Sequence, residues 1–178
     1  FRPPDEYNIW NKIQSVDKEQ YWSWAGGYYA TICMYPWISE IQEGDFIVID
    51  QSGINAGLMG SLNSLEGFKN GARGYITNGG VRDTDELIIE KIPFWSKMKS
   101  QSMVQKRLQY SEHDIPVAVG GVTIYPGDVI VADADGVIVV PEGVALEVAH
   151  YAKVEHERDK KSRRRHYKEL GMEFDETV

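Results

Sequence analysis

Cysteine is almost absent: Cys33 is the only one in 178 residues. An intrachain disulfide is therefore impossible, and a lone thiol suits a reducing compartment such as the cytoplasm. Cys33 itself reads as a small core residue, the usual fate of a free thiol. Positive charge is in deficit, with 19 lysines and arginines against 27 aspartates and glutamates, a net charge of -8 and a pI near 5.0. That balance excludes general nucleic-acid binding, which needs a basic surface to neutralise phosphates. No apolar run approaches the ~18 residues of a membrane span, so no membrane partner is expected. The polar, proline-bearing stretch Phe1 to Tyr7 does not read as a signal peptide. The histidines, His113, His150, His156 and His166, show no zinc-like spacing. Gly57-x-x-Gly60 and Gly71-x-x-Gly74 fit neither the dinucleotide nor the phosphate-loop pattern. A nucleophile elbow is missing too.

What remains is a chain with 42% hydrophobic residues, enough for a real core and of a length that suits one domain. Residues 1–16 lack a clear period and read as an arm. Residues 17–42 are rich in aromatics, from Tyr21 and Trp22 to Trp37, and suit either core or a subunit contact. Gly26 and Gly27 are expected to interrupt any helix there, at about 1 kcal/mol each against alanine. "GDFIVID", Gly44 to Asp50, reads as a strand covered on both faces. Leu62, Leu65 and Phe68 recur as the apolar face of a short helix. "GYITN", Gly74 to Asn78, is the next strand, so the order suggests a parallel βαβ unit. A short helix is expected through Leu87 and Ile88, and a strand at Ile92 to Trp95. Between Ile115 and Pro141, turns at Gly120-Gly121, Pro126-Gly127 and Asp135-Gly136 separate three or four short strands. Asp133 and Asp135 there suit a hairpin turn rather than a calcium loop. From Glu142 the pattern is helical and becomes almost wholly charged. Its basic run Arg163-Arg164-Arg165, balanced by Glu155, Glu157, Asp159 and Glu169, reads as a solvated face with ion pairs.

The chemistry concentrates in Gly60 to Glu86, "GSLNSLEGFKNGARGYITNGGVRDTDE". Arg82 and Asp83 are presented at the end of a strand. Arginine offers a planar fork suited to a carboxylate and can steady enolate charge, but it cannot act as a base. The adjacent Asp83 suits Mg²⁺ or Mn²⁺, hard ions that prefer oxygen. The competing reading is structural: Asp83 and Glu86 would form an N-terminal capping box. Gly60, Ser61 and Leu62 open a helix whose free amides suit an anion; in the plainer reading Ser61 is only its cap.

"NGGVRDTDE", Asn78 to Glu86, and "VGGVTIYPGDVIVADADGVIVVP", Val119 to Pro141, resemble the RraA-like family of ribonuclease regulators and 4-hydroxy-4-methyl-2-oxoglutarate aldolases. With "GDFIVID" the resemblance runs from Gly44 to Val178, an RraA-like domain; residues 1–43 look atypical. The resemblance implies a ββα swivelling-type α/β fold with a long C-terminal helix, assembled as a homotrimer or a pair of trimers. It implies a cytoplasmic lyase for a small 2-oxo acid, working by retro-aldol cleavage or oxaloacetate decarboxylation through a pyruvate enolate. Arg82 and Asp83 would be catalytic. Asp83 would bind Mg²⁺ or Mn²⁺ directly, and Glu155 or Glu157 of a neighbouring chain would act through water. Gly60, Ser61, Leu62 and Arg82 would hold the substrate. The aldolase pattern has an aspartate where this chain has Ser61, which places the reaction in question and keeps two alternatives open. One is a non-catalytic regulator of an RNA-processing enzyme. The other is a metal-dependent enzyme for another sugar acid, with Tyr75, Thr77 and Asn78 lining a polar pocket.

Overall fold

The computed structural model describes residues 1–3 and 18–178. The arm expected over residues 1–16 therefore lies, from residue 4 on, outside the described residues. Two compact units emerge, Phe1–Pro126 and Gly127–Val178.

The first unit is built on four parallel strands: β1 (Phe46–Ile49), β2 (Gly57–Met59), β3 (Gly74–Val81) and β4 (Phe94–Lys99). Strand β3 is central. β4 pairs with it along most of its length, while β1 takes Gly74 to Thr77 and β2 takes Gly80 and Val81. Helix α1 (Lys18–Thr31) precedes the sheet, α2 (Ser61–Asn70) joins β2 to β3, and α3 (Thr84–Ile89) joins β3 to β4. The hairpin β5 (Val117–Val119) with β6 (Val122–Ile124) completes this unit. Its core gathers Tyr28, Cys33, Ile49, Leu58, Met59, Tyr75, Val104 and Leu108. Cys33 is fully enclosed, and burial pushes its thiol up to about 12.

Two local expectations are corrected here. Helix α1 runs unbroken through Gly26 and Gly27. The glycine cost is outweighed because Ala25 and Tyr28 are buried and the Tyr28 hydroxyl donates to Leu108 O at 2.8 Å; tertiary packing overrides propensity. Helix α2 forms, but its leucine stripe faces away from the core: Leu62 is 75% exposed, while Ser61, Ser64 and Gly67 are buried. The reason is Tyr75. Its hydroxyl donates to Ser64 O at 2.7 Å, and a Cβ on Gly67 would stand 2.3 Å from the Tyr75 hydroxyl oxygen. Only small residues fit against β3 there. The strand at Gly44 to Asp50 forms as β1, yet only Ile49 is buried outright, so coverage of both faces is partial.

In the second unit β7 (Val129–Ala132) pairs antiparallel with β8 (Val137–Val140). Asp133 Oδ1 accepts from the amides of Asp135 and Gly136 at 2.8 and 3.2 Å, the hairpin turn expected there. A short 3-10 helix, Glu142–Val144, leads into α4 (Ala145–Leu170), 26 residues with no buried side chain. Ion pairs run along it, Glu155 with Arg158 and Glu169 with Arg165. Glycine ends it in the left-handed conformation at Gly171. Among the described residues no helix is long and apolar enough to cross a membrane.

Candidate active site

Strand β3 delivers Arg82 and Asp83 to the N-terminus of α2. The Arg82 amide donates to Met59 O at 3.0 Å, which ties the end of β3 to β2. Asp83 then takes a left-handed backbone conformation, φ 56° and ψ 39°, an uncommon state for a non-glycine residue. That turn aims its carboxylate back toward α2. Asp83 Oδ2 lies 3.3 Å from Arg82 Nη1 and accepts from the Ser61 amide at 3.3 Å. The Ser61 hydroxyl donates to Glu86 Oε2. Arg82, Asp83, Ser61 and Glu86 therefore form one connected group spanning two helix starts.

Both structural alternatives for these residues fail. Asp83 sits at the N-cap of α3 but makes no capping bond, and Glu86 is engaged by Ser61 instead of returning to the cap. Ser61 is the first residue of α2 and not its cap; Gly60 holds that position. Gly60 is there because space demands it. A Cβ at this position would stand 2.2 Å from Asp83 Oδ2 and 3.0 Å from Arg82 Cζ. Leu62, the third residue expected to contribute a backbone amide, lies in the first turn of α2 with its side chain exposed. The first-turn amides of a helix lack intrahelical partners and favour anions.

The Arg82 and Asp83 side chains are 28% and 33% exposed, so the pair is reachable. The Nε of Arg82 is buried with no hydrogen-bond partner. On the donor side, Asp83 and Glu86 offer only carboxylate oxygens, and Asp83 Oδ1 is not engaged by the hydrogen bonds that hold Oδ2. An all-oxygen donor set of this kind fits Mg²⁺ or Mn²⁺ and not a thiolate-seeking metal. Glu155 and Glu157 lie on exposed α4, Glu155 paired with Arg158.

The polar groups of Tyr75, Thr77 and Asn78 are engaged within the protein. Tyr75 bonds Ser64, the Thr77 hydroxyl donates to Gln51 Oε1 at 2.6 Å, and Asn78 Nδ2 donates to Asp50 Oδ1 at 2.7 Å. These bonds brace the loop after β1. The structure also gathers ligand-type residues that no spacing could have found. Glu40, His113 and Asp114 each place one atom within 4.8 Å of the others. His113 Nε2 is 3.2 Å from Glu40 Oε2, and its other ring nitrogen meets the Tyr110 hydroxyl.

Comparison with known proteins identifies the family of the chain. A protein named "Putative 4-hydroxy-4-methyl-2-oxoglutarate aldolase" from Deinococcus radiodurans is 38% identical over 98 residues, 54% of this chain and 61% of that protein. Protein DlpA of Legionella pneumophila is 30% identical over 115 residues, covering 64% of this chain but 19% of its own. The chain thus spans less than two thirds of the length of these curated relatives. Among solved structures, an uncharacterized Pseudomonas syringae protein superposes with a TM-score of 0.66 at 28% identity, over 74% of this chain and 67% of that one. A Thermus RNA-processing inhibitor RraA gives 0.53 at 28% identity, over 59% and 64%. The family model described as RraA-like, Aldolase/RraA, matches residues 10–139, starting inside the segment that looked atypical. The chain belongs to the RraA-like family.

Proposed function

We propose that the protein is a divalent-metal-dependent lyase for a small 2-oxo acid, cleaving or decarboxylating it through a pyruvate enolate. One observation carries this reading: the Arg82 guanidinium and the Asp83 carboxylate are fixed side by side, with the Ser61 amide on Asp83. Asp83 would hold Mg²⁺ or Mn²⁺, with Glu155 or Glu157 of a neighbouring copy in a homotrimer or pair of trimers supporting it through water. When bound, such an ion draws electron density from the 2-oxo group. Arg82 grips the carboxylate end and steadies the negative charge that grows on the enolate oxygen. Gly60, Ser61 and Leu62 bring the N-terminus of α2 to the same anion.

Ser61 carries no charge where the aldolase pattern has an aspartate. Its bond to Glu86 brings a carboxylate to the same place. We assign Glu86, through Ser61, the proton-holding part that Ser61 alone cannot fill. A regulator of an RNA-processing enzyme is the second reading, favoured by the likeness to the Thermus inhibitor.

Pyruvate release from oxaloacetate tests the first reading. Release is expected with Mg²⁺, and both EDTA and Arg82→Ala should remove it. The loss expected from Arg82→Ala is roughly 10²–10³-fold, as for loss of an oxyanion donor. Turnover that survives in Arg82→Ala would refute the proposal. Pull-down of an RNA-processing enzyme by a protein without turnover would favour the second reading.

A further inference from the structure

The first unit holds a second group of metal-ligand side chains, and it shares no residue with the Arg82 site. Glu40, His113 and Asp114 bring one ligand atom each to within 4.8 Å of the others. Glu40 ends the short 3-10 helix Pro36–Glu40, just ahead of β1. That helix is anchored: Ile38 is buried, and Asn70 Nδ2 donates to Ile38 O at 2.7 Å. His113 and Asp114 lie on the loop that leads to β5. Tyr110 ties this loop down. Its amide donates to Ile32 O at 2.8 Å, and its ring meets Phe1 edge-on at 5.9 Å. Two well-held segments, 73 positions apart at Glu40 and His113, thus present ligands to one point.

A simple ion pair leaves the charge there unbalanced. Among the described residues, neither Glu40 nor Asp114 has a lysine or arginine as ion partner. The imidazole is engaged on both sides: Nε2 is 3.2 Å from Glu40 Oε2, and Nδ1 meets the Tyr110 hydroxyl. One proton on Nε2 answers one carboxylate. It leaves the second carboxylate beside the first, and like charges that close repel. A divalent cation answers both and needs only a neutral imidazole. The Tyr110 oxygen then accepts from Nδ1–H. Such an outer contact fixes the tautomer and leaves the Nε2 lone pair for a metal.

We propose that Glu40, His113 and Asp114 form a zinc site that clips the loop before β5 to the 3-10 helix before β1. One imidazole nitrogen with two carboxylate oxygens is a donor set for Zn²⁺, whereas Mg²⁺ and Ca²⁺ prefer oxygen alone. Ligand atoms around a tetrahedral zinc stand about 3.4 Å apart. The His113–Glu40 distance already matches. Glu40 and Asp114 are exposed, so their carboxylates can turn inward to close the rest. Three protein ligands leave the fourth position to water. The ion acts on stability, because zinc held only by the folded chain stabilises it by mass action. This inference does not depend on the reading of Arg82 and Asp83.

The test is a calorimetric titration of Zn²⁺ into the full, tag-free chain in millimolar Mg²⁺, which competes for oxygen-only sites such as Asp83. The wild type should bind one equivalent at about micromolar Kd. At about 100 times that Kd, zinc should raise the melting temperature by about 5 °C. His113→Ala should weaken binding at least about 100-fold and remove the thermal shift. Tyr110→Phe, which spares every ligand, should weaken it about tenfold, as for loss of an outer contact. Glu40→Gln and Asp114→Asn should each weaken it by more than that. Asp83→Ala should leave both affinity and thermal shift unchanged. Equal zinc affinity in His113→Ala would overturn the inference, since the ion would then sit elsewhere, for instance on His150, His156 or His166 of α4. Absence of binding by the wild type would reduce the cluster to an ion pair and overturn it as well. Imidazole nitrogen resonances of the wild type give a reading that needs no variant. Zinc should move His113 Nε2 and leave Nδ1 protonated, and an unmoved Nε2 would again overturn the site.

Discussion

In Phe1–Pro126 the side chains of Tyr28, Tyr75, Leu58, Val104 and Leu108 are completely enclosed, whereas in Gly127–Val178 only Val140 and Val178 are buried, at 8% and 9% exposure. The second unit carries apolar residues in number, among them Val131, Ile138, Leu146, Tyr151 and Val154, but all are exposed. Its hairpin and α4 are held by backbone bonds, short-range ion pairs and a glycine cap. The first unit instead wedges its elements together at contacts so close that many positions admit only glycine. The lesson concerns where precision is stored. Arg82 and Asp83 are aimed by close packing at Gly57 and Gly60, so the site inherits the rigidity of the sheet. Among the glycines of the second unit, Gly136, Gly143 and Gly171 face open space and Gly127 meets only the end of the Glu142 side chain.

The largest expected contrast follows from two glycines. Gly60→Ala would drive a methyl group into Asp83 Oδ2 and Arg82 Cζ. Both are ends of side chains that can swing away, and the Gly60 φ of -120° suits alanine. The protein should fold and lose its site, with pyruvate release down roughly 10²-fold, as for ångström-scale misplacement of a catalytic group. Gly143→Ala, in the second unit with open space around it, should leave turnover unchanged. Equal activity of the two variants would break the comparison.

Stability gives the next contrast. A Cβ at Gly80 would meet Ala56 O and Ser100 Cβ, both at 2.7 Å, and the backbone oxygen cannot step aside. Gly80→Ala should cost about 1–3 kcal/mol in urea unfolding. Leu146→Ser, at a position 89% exposed, should stay within about 0.5 kcal/mol. A larger loss from Leu146→Ser would reveal that α4 is covered by another copy in solution.

Much of this contrast was legible in the sequence, and the illegible part has definite causes. The hairpins of β5 to β8 were marked by Gly120-Gly121 and Asp135-Gly136, because such turns need residues that tolerate positive φ. Arg82 and Asp83 stand together in the chain, so their pairing needed no long-range knowledge. The orientation of α2 did. A period of three marks a face but does not say which way it points, and the Tyr75 hydroxyl decides that by bonding Ser64 from eleven residues away and lying under Gly67. The left-handed turn at Asp83 was hidden because Asp83 and Glu86 have the spacing of a capping box. Gln105 sat in a polar stretch that gave no sign of burial. Glu40 and His113 are separated by 73 positions, beyond any spacing rule.

Alkaline pH should act mainly on the first unit. Burial raises the phenols of Tyr28, Tyr35 and Tyr75 and the Cys33 thiol, Tyr28 and Cys33 each to about 12. In the unfolded chain these groups ionise at ordinary values of 9 to 10. Their contribution is complete below pH 9 and is lost as pH rises toward the folded values, at up to about 1.4 kcal/mol per pH unit for each proton of difference. Urea midpoints measured from pH 8 to 11.5 should fall with increasing slope. A flat profile would show that the core aromatics ionise freely and are not enclosed.

The smallest effect belongs to the C-terminal tail, and it sharpens the comparison from the other side. Asp175 is fully exposed, yet its carboxyl is held below the ordinary 3.8 by the Thr177 hydroxyl and amide, with a lesser share from Tyr167. A depressed value means that the tail's order is present above pH 3.8 and is lost as pH falls through the lower folded value. The carboxyl carbon resonance of Asp175 should titrate below 3.8, and Thr177→Val should return it toward 3.8. Because the bonds of this cluster join only Tyr167, Asp175 and Thr177, the mutation should leave the urea midpoint at neutral pH unchanged. A shift of that midpoint by Thr177→Val would mean that the tail is coupled to the core, and the division of the chain into a tightly wedged unit and a locally held one would fail.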